Sequence, residues 1–240
     1  MKKWKIWCLL AALTAFLCYV QVPVFAKIAT IQVNSKTDIF RRQLVAAQNL
    51  QSAGLYRQAC KTLLPVLDLA IFDCANLIDN QLSRTETAII EKLPNTEIVA
   101  SGLRILGDVL RLTGALKNSQ IILNRSLDAA QNLQLDAALS GAYLSLGNTQ
   151  RAFGKRQEDI KQDAGANYEK ALDFYERAIA SSEKTEQLQA KLNKLSLLVS
   201  NLPDSDIGNL WQEIKLKVDN LPASTQSIYD RINFAESLGC

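Results

Sequence analysis

The amino-acid sequence predicts an all-α fold, a solenoid of antiparallel helical hairpins. A small residue followed seven positions later by glycine occurs three times. The three copies of this frame are Ala47 to Gly54, Gly107 to Gly114 and Gly147 to Gly154. Each copy lies in an apolar stretch of helical period and precedes a second such stretch. We expect the small residue to let two helices approach closely, and the glycine to end a helix in the left-handed conformation.

The helix after each frame carries one stripe of apolar or small residues, which indicates that this face is buried. The stripes are Tyr56, Ala59, Leu63 and Val66 in the first unit, Leu116, Ser119, Leu123 and Ser126 in the second, and Tyr168, Ala171, Tyr175 and Ala178 in the third. A polar insertion, 154–167, separates the third frame from its stripe. We expect this insertion to lengthen the turn or to extend either helix.

A fourth unit has similar spacing, although it lacks the glycine pair. It places Leu192, Leu195 and Val199 in its first helix and Ile207, Leu210, Ile214 and Pro222 in its second. The predicted units are about 40–67, 100–133, 140–183 and 189–222, with a half unit at 224–240 and a short segment, 27–39, before them. The lone last helix indicates a capping helix or a truncated chain, and it is a candidate site of association with another chain.

These residues resemble the tetratricopeptide repeat, whose packing positions on two antiparallel helices match most of those above. Four segments, CKTLLPVLDL, GLRILGDVLRLTG, LNKLSLLVSNLP and YDRINFAESL, are together similar to the N-terminal repeat region of cyanobacterial CHAT-domain proteins. The resemblance spans most of 40–240 and reaches no residue of the caspase-like domain that follows the repeats in that family. It implies, as an alternative to an independent scaffold, that the chain is the regulatory or recognition part of such a protein.

The segment between the first two units, 68–95, is predicted to hold short helices of its own. Ser83 and Glu86 have the spacing of a capping box, and the helix that begins there should end before Pro94. The apolar residues of this segment are too many for a free tether. We therefore expect it to pack against the repeats.

Cys60 lies in the second helix of the first unit, and Cys74 lies just beyond the end of that helix. A disulfide between them would hold the segment against the first unit and stabilise the fold by about 3 kcal/mol. Two small buried thiols are the alternative. Cys240, the last residue, has no evident partner.

The sequence contains no histidine, which excludes a cysteine–histidine dyad, a serine–histidine–carboxylate triad and a histidine-ligated metal site within this chain. Its acidic residues lie mostly on polar helix faces or in the 154–167 insertion, where solvated charge is their usual role. The glycines of 147–155 do not match a phosphate-binding loop in their order or context. We expect no enzymatic activity, cofactor or metal; an enzyme acting on cell-envelope material stays as an alternative without catalytic residues.

The N-terminus has the pattern of a secretory signal peptide over 1–26. Three of the first five residues are lysine, an apolar segment covers 6–20, and Val24 and Ala26 are small residues at the two positions that determine cleavage. Cleavage after Ala26 predicts an exported protein, periplasmic or extracellular. An uncleaved membrane anchor is the alternative, because the apolar stretch approaches the length that spans a bilayer.

Export changes the charge of the chain. The sequence holds 27 basic and 24 acidic residues. The signal peptide contains three lysines and no acid, so 24 of each remain after cleavage. This neutral balance favours neither nucleic acid nor an anionic membrane as a partner.

Hairpins stacked side by side line a concave groove with their first helices, and such grooves bind peptides. The frame predicts eight side chains there: Arg41, Gln48, Gln51, Arg104, Asp108, Arg111, Asn148 and Arg151. The four arginines favour an acidic ligand. The alternative is that Arg104, Asp108 and Arg111 only pair with one another along their helix. The leading prediction is an exported, non-enzymatic scaffold for protein–protein interaction, with a partner that is a protein or peptide.

Removal of the signal peptide gives the first testable prediction. Exported protein, sequenced from its N-terminus or weighed intact, should start at Lys27. Recovery of a chain that starts at Met1 from the exported fraction would exclude cleavage and favour the membrane anchor.

Overall fold

The computed structural model describes residues 37–181, 184–201, 207–222 and 224–237. The chain divides into two compact parts, 1–43 and 44–240. Of the 1–43 part only 37–43 are described, and these residues are helical. The signal peptide, the cleavage site at Ala26 and Cys240 lie outside the described residues. None of the described helices is both long and apolar enough to cross a membrane.

The described residues form helices joined by loops and contain no strand, which confirms the all-α prediction. The helices in chain order are α1 (37–52), α2 (Tyr56–Val66), α3 (Cys74–Asp79), α4 (Arg84–Glu91), α5 (Glu97–Leu112), α6 (Leu116–Leu133), α7 (Asp136–Asp159), α8 (Gly165–Ile179), α9 (Lys184–Asn201), α10 (Gly208–Asp219) and α11 (Thr225–Ser237). Short α3 and α4 interrupt an otherwise regular series of longer helices.

Helices of the 44–240 part contact one another in a repeating order. Consecutive helices pair as α5 with α6, α7 with α8, and α9 with α10. The second helix of each pair also contacts the first helix of the next pair. In addition, α5 contacts α7, α7 contacts α9, and α9 contacts α11, so the first helices lie next to one another.

The paired helices approach closely where the small residue of the frame lies. A Cβ atom added to Gly107 would lie 2.5 Å from Leu123 Cγ of α6. One added to Gly147 would lie 2.5 Å from Tyr175 Cε1 of α8. Real Cβ atoms do not come this near, so glycine is required at both positions, as predicted from the frame.

The apolar stripes of the second helices are buried as predicted. All four stripe residues are buried in α6 (Leu116, Ser119, Leu123 and Ser126) and in α8 (Tyr168, Ala171, Tyr175 and Ala178), and in α2 Ala59, Leu63 and Val66 are buried while Tyr56 is half-buried. In the fourth pair, Leu192, Leu195 and Ile214 are buried, and Val199, Ile207 and Leu210 pack against them. Pro222 follows the end of α10.

Two of the three frame glycines end helices. Gly54 (φ 75°) and Gly114 (φ 87°) adopt the left-handed conformation. At each, the N–H of the glycine and that of the next residue donate to carbonyls of the last turn; Gly114 donates to Arg111 and Ala115 to Leu110. This Schellman arrangement satisfies carbonyls that the helix end leaves free.

The prediction that Gly154 ends its helix was wrong. Gly154 is buried inside α7, where the ring of Tyr168 occupies the space that a Cβ would take. The helix continues to Asp159, and Lys161 (φ 58°) takes the left-handed position instead. The residues after Gly154 are good helix formers, and the close packing of α8 requires glycine here for the same reason as at Gly147. The insertion therefore extends the first helix of its pair.

The segment between the first two units folds into α3 and α4. The predicted capping box is confirmed: Glu86 N donates to Ser83 Oγ at 3.2 Å, and Ser83 N donates to Glu86 Oε2 at 2.8 Å. The helix ends at Glu91, before Pro94, as expected. Both ends of the short helix are thus fixed by local sequence.

Two anchors hold this segment in place. Cys60 of α2 and Cys74 of α3 are joined as a disulfide, with an S–S distance of 2.10 Å. On the other side, Asn118 of α6, which is 2% exposed, donates to the carbonyls of Leu77 and Asn80 at 2.8 and 2.6 Å. Its Oδ1 also accepts the N–H of Leu82 at 2.9 Å. One buried amide therefore replaces the backbone partners that the loop after α3 lacks.

A buried arginine fixes the end of the same segment. Arg125 of α6 donates to the carbonyl of Leu93 and, at 2.8 Å, to Asn95 Oδ1. Its side chain is covered by the loop before α5, and the residue is 7% exposed. With Asn118, it attaches the segment to α6 along most of its length.

The last described helix packs on one side only. Trp211 of α10 and Phe234 of α11 lie with ring centroids 6.4 Å apart. Ile228 and Ile232, one turn apart on α11, are 58% and 46% exposed. The predicted half unit is thus one helix in the described residues, with an apolar strip facing away from its neighbours.

The close contact at Gly147 gives a second prediction. Gly147→Ala should lower the free energy of unfolding by about 1–3 kcal/mol, because the added methyl group collides with the Tyr175 ring in a packed interior. Urea denaturation followed by circular dichroism measures this. Lys155→Ala, an exposed change in the same helix, should stay within about 0.5 kcal/mol of the original protein. Equal stability of the two variants would contradict the close approach.

Candidate functional site

A row of polar side chains runs across the neighbouring helices α5, α7 and α9. We call it the polar row. It consists of Arg104, Asp108 and Arg111 of α5, Ser145, Asn148 and Arg151 of α7, and Asn193 and Ser196 of α9. Hydrogen bonds and ion pairs connect these side chains within and between the three helices. It is the candidate site because it contains most of the residues that the frame predicted.

Asp108 is the centre of the α5 part of the polar row. The residue is 7% exposed. Arg104 Nη1 lies 3.5 Å from its Oδ2, and Arg111 Nη2 lies 3.5 Å from its Oδ1. Ser145 Oγ of α7 donates to Oδ2 at 2.8 Å. A single carboxylate therefore pairs with two guanidinium groups of α5 and also connects α5 to α7.

The side chain of Arg104 also depends on a glycine of the next helix. A Cβ on Gly141 of α7 would lie 2.9 Å from Arg104 Cδ and 3.2 Å from its Nε. Gly141 is buried, and the arginine lies across the space its missing side chain leaves. Packing on one side and Asp108 on the other thus restrict this arginine to few rotamers.

Asn148 is the centre of the α7 part. Its Oδ1 accepts the hydroxyl of Tyr175 at 2.9 Å and Asn193 Nδ2 at 2.8 Å. Both bonds fall on the oxygen, which fixes the orientation of the amide and leaves Nδ2 as the donor that the row does not use. Burial raises the pKa of Tyr175 to about 12, against the opposing effects of Arg151 and Arg111. The tyrosine therefore stays neutral and donates at ordinary pH.

The arginines of the polar row are partly open to solvent. The side chains of Arg104 and Arg111 are 27% and 21% exposed. Arg151 is half-buried and donates through Nη2 to Ser196 Oγ of α9 at 2.9 Å. Three guanidinium groups against the one carboxylate of Asp108 leave an excess of two positive charges. The excess positive charge of the row can therefore attract an anionic group.

The other three predicted groove residues, Arg41, Gln48 and Gln51, lie on α1. Arg41 is exposed. Gln48 is exposed and Gln51 half-buried on α1. Neither glutamine side chain forms a hydrogen bond to the row in the described part of the chain. The frame thus brings together five of its eight candidates: Arg104, Asp108, Arg111, Asn148 and Arg151.

Four residues of the site were missed from the sequence. Asn193 and Ser196 occupy the positions that correspond to Asn148 and Arg151, 45 residues later in each case. Applying the frame to the fourth unit would have found them, but that unit has no glycine pair to set the register. Ser145 and Tyr175 had no such signal, because their roles depend on the partner helix.

The polar row consists mainly of groups that donate hydrogen bonds. No three His, Cys, Asp or Glu side chains come close enough to hold a metal ion within the described residues. The groups of the polar row are guanidinium, amide and hydroxyl groups that donate hydrogen bonds, with one carboxylate already paired. No protein-family model matches the chain, and no curated protein or solved structure does either.

The position of Asp108 gives a third prediction. Asp108→Asn should lower the free energy of unfolding by about 1–2 kcal/mol, because it removes the charge that both arginines use. The loss stays below the roughly 3–5 kcal/mol of a fully buried pair, since the arginines can regain water.

Asp173→Asn is the matched control for this substitution. Asp173 pairs with Arg177 at 3.0 Å on the surface of α8, where both side chains are more than half exposed. That change should have an effect of about 0.3–0.5 kcal/mol in the same urea titration. Equal losses in the two variants would show that Asp108 does not connect the row.

Proposed function

We propose that the protein is an exported, non-enzymatic repeat scaffold that binds an acidic segment of a partner protein through the polar row. The observation that carries the proposal is the row itself, in which α5 and α7 contribute three partly exposed arginines and Asp108 is the one carboxylate. The proposed groove is the surface formed by α5, α7 and α9.

The order of helix contacts supports a solenoid of tetratricopeptide-like hairpins. Each pair is followed by another in the same relation, and the first helices lie side by side. The two glycine contacts at Gly107 and Gly147 occupy the same place in successive pairs. In such a stack the first helices would face one groove, which suits an extended or helical peptide.

The charges of the row support an acidic ligand. Asp108 pairs with both Arg104 and Arg111, and Arg104 also packs against Gly141, so the positions of both arginines are restricted. A restrained guanidinium loses less conformational entropy when it binds a carboxylate than a free surface arginine does. Asn148 Nδ2 would donate to a backbone carbonyl of the same segment. Together these groups offer charge recognition and one main-chain contact.

Compartment is part of the proposal. The pattern of 1–26 supports export to the periplasm or the exterior, where partners would be envelope or secreted proteins. A disulfide between Cys60 and Cys74 is consistent with an oxidising compartment. Once the signal peptide is removed, the neutral charge balance favours a protein partner over nucleic acid or membrane.

The fourth prediction tests the acidic ligand directly. A fluorescein-labelled glutamate-rich peptide, titrated with the protein purified from the exported fraction, should show a saturable rise in fluorescence anisotropy. Arg104→Gln combined with Arg111→Gln should weaken binding by about a hundredfold or more, because each of the two lost charge-assisted hydrogen bonds removes roughly 1.5–3 kcal/mol. Added salt should weaken binding to the original protein.

A second double variant controls for net charge. Arg84→Gln with Lys170→Gln removes two exposed cations that lie outside the polar row. It should keep the original affinity, and circular dichroism should show unchanged helicity in both double variants. The proposal fails if the two double variants bind alike, or if a peptide with glutamine in place of glutamate binds as tightly. Capture from the exported fraction with both double variants then identifies the natural partner.

A further inference from the structure

Two departures from the repeating hairpin meet at one cavity. The cavity has a volume of about 370 Å³. Its walls are the end of α3 with the loop after it (78–81), the turn from α5 to α6 with the start of α6 (114–118), and Phe153 and Arg156 of α7. The first wall comes from the segment between hairpins, and Arg156 of the last wall comes from the extension of α7. Small-molecule sites have volumes of roughly 300–1,000 Å³, so the cavity is large enough for a compact ligand.

Hydrogen bonds and a disulfide hold the walls in place. Asn118 holds the loop after α3 through the carbonyls of Leu77 and Asn80, and it is 2% exposed. The Cys60–Cys74 disulfide holds the start of the same segment. On the opposite wall, Arg156 Nη2 donates to the carbonyl of Gly114 at 3.0 Å. The cavity is therefore part of the packed structure.

Two cations lie on these walls, Lys117 and Arg156. Within the described ranges, neither of them forms an ion pair with a carboxylate. Asp79, the acidic residue of the lining, lies 3.7 Å from Arg57 outside the cavity. The cavity thus has an excess of positive charge, which favours an anion. Ile78 and Phe153 add apolar surface beside it.

We propose that this cavity binds a small organic oxyanion, a phosphate or carboxylate group attached to a compact carbon skeleton. The planar guanidinium of Arg156 suits either oxyanion, and the ammonium of Lys117 adds a point charge. Ile78 and Phe153 would contact the carbon skeleton. A ligand that fills about 370 Å³ is a compact molecule. This site is separate from the polar row, so it stands or falls independently of the acidic peptide.

Calorimetric titration of the full-length protein with two anions tests the proposal. The probes are glycerol 3-phosphate and succinate, with glycerol as the neutral control. We expect at least one anion to bind saturably with one site per chain, and glycerol to give no heat of binding. Binding of the phosphate alone or of the dicarboxylate alone identifies which oxyanion the cavity prefers. Failure of both anions to saturate up to about 10 mM overturns the proposal.

Substitutions of three exposed cations test whether the anion binds in the cavity. Arg156→Gln and Lys117→Gln should each weaken binding about tenfold, the loss of one charge-assisted contact. Lys155→Gln, the neighbour of Arg156 in α7 but outside the cavity lining, should leave the Kd unchanged. An unchanged Kd in both cavity variants, or an equal loss in Lys155→Gln, overturns the proposal. Circular dichroism checks that all three variants keep their helicity.

Discussion

The distance between paired helices is the constraint on which the rest of the structure depends. At Gly107 and Gly147 the first helix has no side chain, so Leu123 and Tyr175 of the second helix pack against its backbone. This close approach sets the lateral spacing of α5, α6, α7 and α8. A buried hydroxyl contact between Ser119 and Thr149, 3.1 Å long, then fits between neighbouring pairs. The polar row follows from that spacing, since the Asp108–Ser145 bond requires α5 and α7 to lie side by side.

Local sequence predicted the helices and their buried faces well, because period and end signals act over a few residues. Gly54 and Gly114 end helices as expected, and Ser83 caps one. Gly154 shows where local reading fails. A glycine can end a helix or admit a neighbour, and the choice here is made by Tyr168, a residue of another helix. Only the packed pair distinguishes the two roles.

The site was predictable to the extent that it follows one helix. Arg104, Asp108 and Arg111 are spaced for pairing along α5, and the structure contains both pairs. Contacts between helices were not predictable from spacing, because they depend on register: Ser145 reaches Asp108, and Ser196 reaches Arg151. The pairing also does not use up the charge of the arginines, since one carboxylate faces two guanidinium groups on α5.

Tyr175 links the interior to the surface in a way that has a mechanical consequence. Its ring fills the space beside Gly147, and its hydroxyl bonds Asn148 in the polar row. The phenol ring is rigid from Cβ to the hydroxyl, so the position of the hydroxyl follows the position of α8. The position of α8 therefore helps to set the orientation of the Asn148 amide in the polar row. One side chain thus connects the packed interior between α7 and α8 with the polar row.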